Sequence, residues 1–256
     1  MPDEITLDHV AVATGAADAA IAALVGDLGG TLMEGGDAVG FRWVQARLGD
    51  GDEGMTVEVI TPWRPEANDF LARFVARHTE GAHHITFKVP DLRRTLERAR
   101  AAGYHPIGEN FEDPQWFEAF LVPREAQGIV VQLTQSEPPP PPWPRRFADR
   151  TARGVPDGRP TWWADPPTPG PVRVVLRRIV LRTPSITSAL GLWCGLLGGT
   201  PVDQGDDRIE IAWPGGRILL VEDAGSAPGF ECLEADAPAA LEAVRVAGAA
   251  VHTTAR

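Results

Sequence analysis

Apolar residues along this chain fall into short alternating runs broken by glycine and aspartate, interleaved with stretches of helical period, and the order of these runs repeats. Residues 1–61 read as a strand, a helix and three strands. The first strand ends near Thr14, and Ala17 to Leu28 is Ala-rich and amphipathic, with Gly29-Gly30 placed to stop it. Strands over 31–34, 39–48 and 55–61 follow, separated by the turn clusters Gly35-Gly36-Asp37 and Gly49-Asp50-Gly51-Asp52. Pro62 to Pro65 is a connector, and Asn68 or Asp69 can cap a short helix from Phe70 to Arg77. The pattern then recurs: a strand over 83–89, a helix capped by Asp91 and stopped at Gly103, and strands near 105–109, 116–122 and 129–134. Residues 5–134 are thus expected to form two βαβββ modules in tandem, an α+β arrangement.

Residues 137–170 differ in kind. Five consecutive prolines, Pro138 to Pro142, open a segment that also holds Trp143, Trp162 and Trp163, which reads as a stiff spacer. Beyond it the opening pattern returns, with Gly26 to Thr31 echoed by Gly195 to Thr200 at an offset of 169. That offset places Arg178 where His9 stood, and the likeness of Gly216–Val221 to Gly54–Val59 places Leu220 at Glu58. A helix over 238–247 and a last strand over 250–254 are expected, with two strands missing. The expected organisation is therefore a metal-binding domain over 1–136, a linker over 137–170, and a degenerate, truncated copy over 171–256 that lacks metal ligands.

Four residues form two matched pairs. His9 and His84 are 75 positions apart, Glu58 and Gln132 are 74 apart, and each imidazole and each oxygen donor sits in a β-like run. One His alone in an apolar strand is most simply a packed residue. Two at symmetric places, each followed by an oxygen donor, point instead to a four-ligand site at the pseudo-twofold interface of the duplicated modules. Mixed nitrogen and oxygen donors suit hard or borderline divalent ions such as zinc, nickel, cobalt, manganese or iron. Gln132 either ligates the metal or hydrogen-bonds a substrate.

Composition narrows the partners. The net charge of −11 argues against nucleic acid or anionic membrane, and residues 1–137 supply all of it with 22 acids against 11 bases. No apolar run is long enough for a membrane span and the first ten residues are not signal-like, so a cytoplasmic chain is expected. Cys194 and Cys232 lack any C-x-x-C spacing and read as free thiols. Lys88 is the only lysine, every other basic residue being arginine, a bias ascribed at this level to codon usage.

The motifs Leu7-Asp8-His9-Val10, Val57-Glu58-Val59 before Pro62, Gly81-Ala82-His83-His84-Ile85 and Gly128 to Gln135 resemble the vicinal oxygen chelate superfamily. That superfamily groups glyoxalase I, methylmalonyl-CoA epimerase, extradiol dioxygenases and bleomycin-resistance proteins, and the epimerases are the members this chain looks most like. The resemblance covers residues 5–135 and implies a glyoxalase-like fold with metal ligands at His9, Glu58, His84 and Gln132. Of the adjacent histidines it selects His84, and strand alternation then sends His83 to the opposite face. The chain departs from the epimerases by carrying Gln132 in place of a glutamate and by having no acid in residues 41–48. Glu118, on the strand beside Gln132, is the candidate base.

The function these residues imply is a metal-dependent isomerase or lyase that stabilises an enolate or enediolate of a small oxygen-rich metabolite. A non-catalytic small-molecule binding or resistance protein is the alternative, and a ferrous-iron dioxygenase is a third reading. The degenerate copy would replace a partner subunit and make the chain a monomer, or its open edge would pair and make a homodimer.

Overall fold

A computed structural model describes residues 4–50, 53–113, 115–136, 169–242 and 244–256. The proline- and tryptophan-rich spacer expected at 137–170 lies outside these residues, apart from 169 and 170. The first module is β1 (Thr6–Thr14), α1 (Ala17–Ile21), β2 (Thr31–Ala38), β3 (Phe41–Leu48) and β4 (Met55–Pro62), with α1 continuing as wider π-helical turns over Ala22–Asp27. After α2 (Phe70–His78) come β5 (Glu80–Lys88), α3 (Leu92–Ala101), β6 (Ile107–Asn110), β7 (Phe117–Leu121) and β8 (Val130–Gln135). The Asp91 carboxylate accepts from the Arg94 amide and caps α3 as the sequence predicts. Gly29 adopts φ +66° at the end of the first helical segment, and Gly198 repeats this at φ +69°.

One element boundary differs from expectation. Gly35-Gly36-Asp37 is not a turn but part of β2, paired with Val44, Trp43 and Arg42. The turn comes at Val39-Gly40, where Gly40 takes φ +92°. A Cβ at Gly36 would sit 3.3 Å from the Trp43 indole nitrogen, so the glycine makes room for a cross-strand tryptophan.

These eight strands form one sheet in the order β2-β3-β4-β1-β5-β8-β7-β6. The two modules meet at β1 and β5, and within each module the first strand pairs in parallel with the last. Because parallel partners share a face, ligand-type residues on β1 and β4, and on β5 and β8, are set side by side.

The third segment builds a second sheet from β9 (Val175–Thr183), α4 (Ile186–Leu190), β10 (Thr200–Gln204), β11 (Arg208–Trp213), β12 (Gly216–Glu222), β13 (Gly229–Ala237), β14 (Val244–Val246) and β15 (Ala249–Ala255). Its order is β10-β11-β12-β9-β13-β15-β14. The expected helix over 238–247 is absent among the described residues: 238–242 form no helix and Val244–Val246 is a strand. The final strand is present, since β15 pairs in parallel with β13 as β8 does with β5. Among the described residues this last segment thus lacks the helix and a counterpart of β6, and keeps the final strand. Three alanines and a proline in Asp236–Ala240 and the short span to β14 leave no length for a helical crossover.

Register also moves one assignment. Val180 pairs with Leu219 as Ala11 pairs with Glu58, so Leu219 and not Leu220 holds the Glu58 place. The cause is the turn. Trp213 pairs with Gly216 across two residues, whereas Leu48 pairs with Met55 across six.

The chain separates into two compact units, each mixing residues from the two sheets: Met1–His9, His84–Pro140 and Arg178–Cys232 in one, Val10–His83, Pro141–Arg177 and Leu233–Arg256 in the other. In the first, the fully buried Phe87 and Trp193 pack with Trp213, whose indole donates to the Leu197 carbonyl. In the second, Ala11, Ala13, Ile60 and Leu71 form a cluster with Phe41, Trp43, Phe70, Phe74 and Val75 packed on it. No helix among the described residues is long and apolar enough to cross a membrane.

Arg178, at the His9 place, is paired with buried Glu210 at 2.5 Å, and Arg217 reaches the other Glu210 oxygen at 2.6 Å. Burial alone would raise the Glu210 carboxyl, but the two guanidinium bonds outweigh it and hold the group below its usual 4.5. A lowered native value contributes stability above about pH 4.5 that is lost as the pH falls through it. Glu210→Gln should therefore cost on the order of 1 kcal/mol at pH 7. The difference from wild type should shrink in denaturant titrations well below pH 4.5.

Candidate metal centre

The ligand-type atoms of His9, Glu58 and His84 all lie within 4.8 Å of one another, and the three side chains are buried. Sheet order explains the meeting: β4, β1 and β5 are successive strands, and Ala11 opposite Glu58 brings that carboxylate alongside His9. The imidazoles of His9 and His84 approach edge to face, with ring centres 5.6 Å apart. Gln45, directly opposite Glu58 on β3, donates to its Oε1 at 3.1 Å.

Gln132 joins this group through Thr86. The two face each other in the β5–β8 ladder, and the Thr86 hydroxyl donates to Gln132 Oε1 at 2.7 Å while lying 2.9 Å from His9 Nε2. The Gln132 amide then donates to Glu118 Oε2 at 2.8 Å, and the Trp116 indole reaches the same oxygen at 3.1 Å. On the far side of His9, its Nδ1 is 2.8 Å from Asp8 Oδ2, and Lys88 Nζ is 3.0 Å from Asp8 Oδ1.

The donor set fits a divalent ion. His9, Glu58 and His84 offer two nitrogens and one carboxylate, the mix that borderline divalent metals accept, and the Asp8 carboxylate behind His9 is the outer-shell group such ligands usually have. Gln132 is connected to His9 through the Thr86 hydroxyl, with its oxygen occupied by Thr86.

His83 corrects the sequence reading. Its ring packs at 4.8 Å on Phe74 and 5.9 Å on Phe70, the α2 aromatics that cover Ala11 and Ile60. Those residues share the Glu58 face, and the Glu58 charge acts on His83. Strand alternation alone does not foresee these contacts with the α2 aromatics. Burial lowers the imidazole to about 4, the Glu58 charge opposing only in part.

Sequence reasoning missed Asp8, Gln45 and Thr86. Strand alternation from His84 could have found Thr86, while Gln45 needed the β3–β4 register. Thr86→Val removes the hydroxyl that joins two buried polar side chains. It should destabilise the metal-free protein by about 1–3 kcal/mol in denaturant unfolding, and a change near zero would mean the link is not formed.

Residues 8–120 match the profile of the glyoxalase/bleomycin resistance protein/dioxygenase superfamily. No curated protein sequence matches the chain. Among solved structures, a hypothetical protein from Staphylococcus aureus aligns over 98% of this chain and 99% of its own, at TM-score 0.63 and 8% identity, which extends the fold likeness across both sheets. Methylmalonyl-CoA epimerase from Mycobacterium tuberculosis aligns over 52% of this chain and 89% of its own, at TM-score 0.46 and 21% identity. A hypothetical protein from Bacillus halodurans aligns over 54% and 98%, at TM-score 0.47 and 23% identity. The likeness to the glyoxalase/bleomycin resistance protein/dioxygenase superfamily thus spans residues 8–120 of this chain.

Proposed function

We propose that the protein is a metal-dependent isomerase or lyase that acts on a small carbonyl compound bearing a neighbouring oxygen. The observation that carries this reading is the buried His9, Glu58 and His84 group, with Gln132 connected to His9 through Thr86. These side chains would hold one divalent ion, which when bound supplies Lewis-acid stabilisation of the negative charge that develops on a substrate oxygen.

The chain's own residues then account for the proton. Glu118 is the proposed base: its Oε2 is held by the Gln132 amide and the Trp116 indole, and its Oε1 would accept the proton. A carboxamide at 132 does not accept protons near neutral pH, so its work is to orient Glu118. His83 stays neutral in its aromatic surroundings and adds no charge beside Glu58.

Elemental analysis of wild type beside His9→Ala and His84→Ala is expected to show about one divalent ion per chain, lost in both variants. No metal in wild type, even after reconstitution, would remove the reading. Exchange of substrate α-protons in deuterated water, followed by NMR, tests the base. Glu118→Gln should slow exchange by roughly 10²–10⁴-fold while keeping the metal. Full exchange in that variant would dismiss Glu118, and a compound bound tightly but returned unchanged would favour a sequestration protein instead.

A further inference from the structure

Of 24 basic residues in the chain, Lys88 is the one lysine. It is buried, at 7% exposure, a property it shares with Arg47 at 5%. Its Nζ lies 3.0 Å from Asp8 Oδ1 and 5.4 Å from the Trp116 ring centre. The other Asp8 oxygen is the one at His9 Nδ1, so ammonium, carboxylate and imidazole stand in a row, each with under a tenth of its side chain exposed.

We propose that Lys88 is the positioning residue of this centre: it fixes the Asp8 carboxylate, which holds His9 by Nδ1 and leaves Nε2, 2.9 Å from Thr86 Oγ1, as the nitrogen that would exchange this contact for the metal. The inference rests on the metal-binding reading and names a part of the same site. A carboxylate this deeply buried needs a counter-charge, and without one it is driven toward water and away from the imidazole. The ammonium is a compact point charge that can engage one Asp8 oxygen and leave the second for His9. A guanidinium is a planar fork that favours bidentate pairing and would compete for both. That difference gives a physical reason for lysine at this one position.

The test uses wild type, Lys88→Met, Lys88→Arg, Asp8→Asn and the Lys88→Met/Asp8→Asn double variant. Zinc affinity is read by chelator competition, and the ¹⁵N imidazole signals of His9 are read in metal-free protein. Lys88→Met and Asp8→Asn should each weaken zinc binding roughly 10–100-fold and shift the His9 signals, and Lys88→Arg should not restore wild-type affinity. The double variant should bind within about twofold of Asp8→Asn alone, because Lys88 acts through Asp8. Wild-type affinity with unchanged His9 signals in Lys88→Met, or full additivity in the double variant, would overturn the proposal. If Lys88→Met does not fold, Lys88→Arg decides: affinity and His9 signals equal to wild type would overturn it. If wild type itself binds no zinc, the metal reading fails, and the metal-free His9 signals still decide whether Lys88 orients the ring.

Discussion

Parallel pairing of the first and last strand within each N-terminal module is the constraint on which the rest of this structure depends. It sets Ala11 against Glu58 and Thr86 against Gln132, and the junction of β1 with β5 then brings two histidines together. A one-residue slip in either ladder would turn its ligand-type residues to the other face. Polar groups thus converge in the middle of the sheet, beside apolar positions such as Val10, Val12, Val57, Val59 and Ile85.

That convergence has a cost, because Asp8, His9, Glu58, His84, Lys88 and Gln132 are each 8% exposed or less. Buried polar groups persist only when they satisfy one another. Asp8, His9 and Gln132 do so in a chain that runs through Thr86 to Glu118 and Trp116, with Lys88 ion-paired to Asp8, while Glu58 accepts from Gln45. The same bonds that offset desolvation also fix the direction of each donor, so stability and preorganisation have one source. The second sheet solves the corresponding problem differently, with Arg178 and Arg217 neutralising a single buried Glu210 where the first sheet gathers metal-type donors. The scaffold is shared, and the chemistry placed in it is not.

Much of this was legible in the residues. Alternating runs, the Gly29-Gly30 and Gly198-Gly199 stops and the Asp91 cap gave the modules and their order, because these signals are local and periodic. The His9, Glu58 and His84 group was legible too, since duplication repeats its spacing. Where local cues were ambiguous, the reading failed: Gly35-Gly36-Asp37 has the composition of a turn but lies in a strand, where Gly36 accommodates Trp43. The helix expected at 238–247 was carried over by analogy with the second module, and the shortened segment before β14 cannot hold it.

The sequence by itself determined which residue types recur at which interval, and hence the fold class and the candidate imidazole and carboxylate residues, because both follow from periodicity along one dimension. Only the tertiary structure decided what those residues touch. Register assigned Leu219 to the Glu58 place, the α2 aromatics packed on His83, and Asp8 linked His9 to a lysine 79 positions further along the chain. Contacts between residues distant in sequence depend on how strands align and which elements cover them, and no local pattern encodes that alignment.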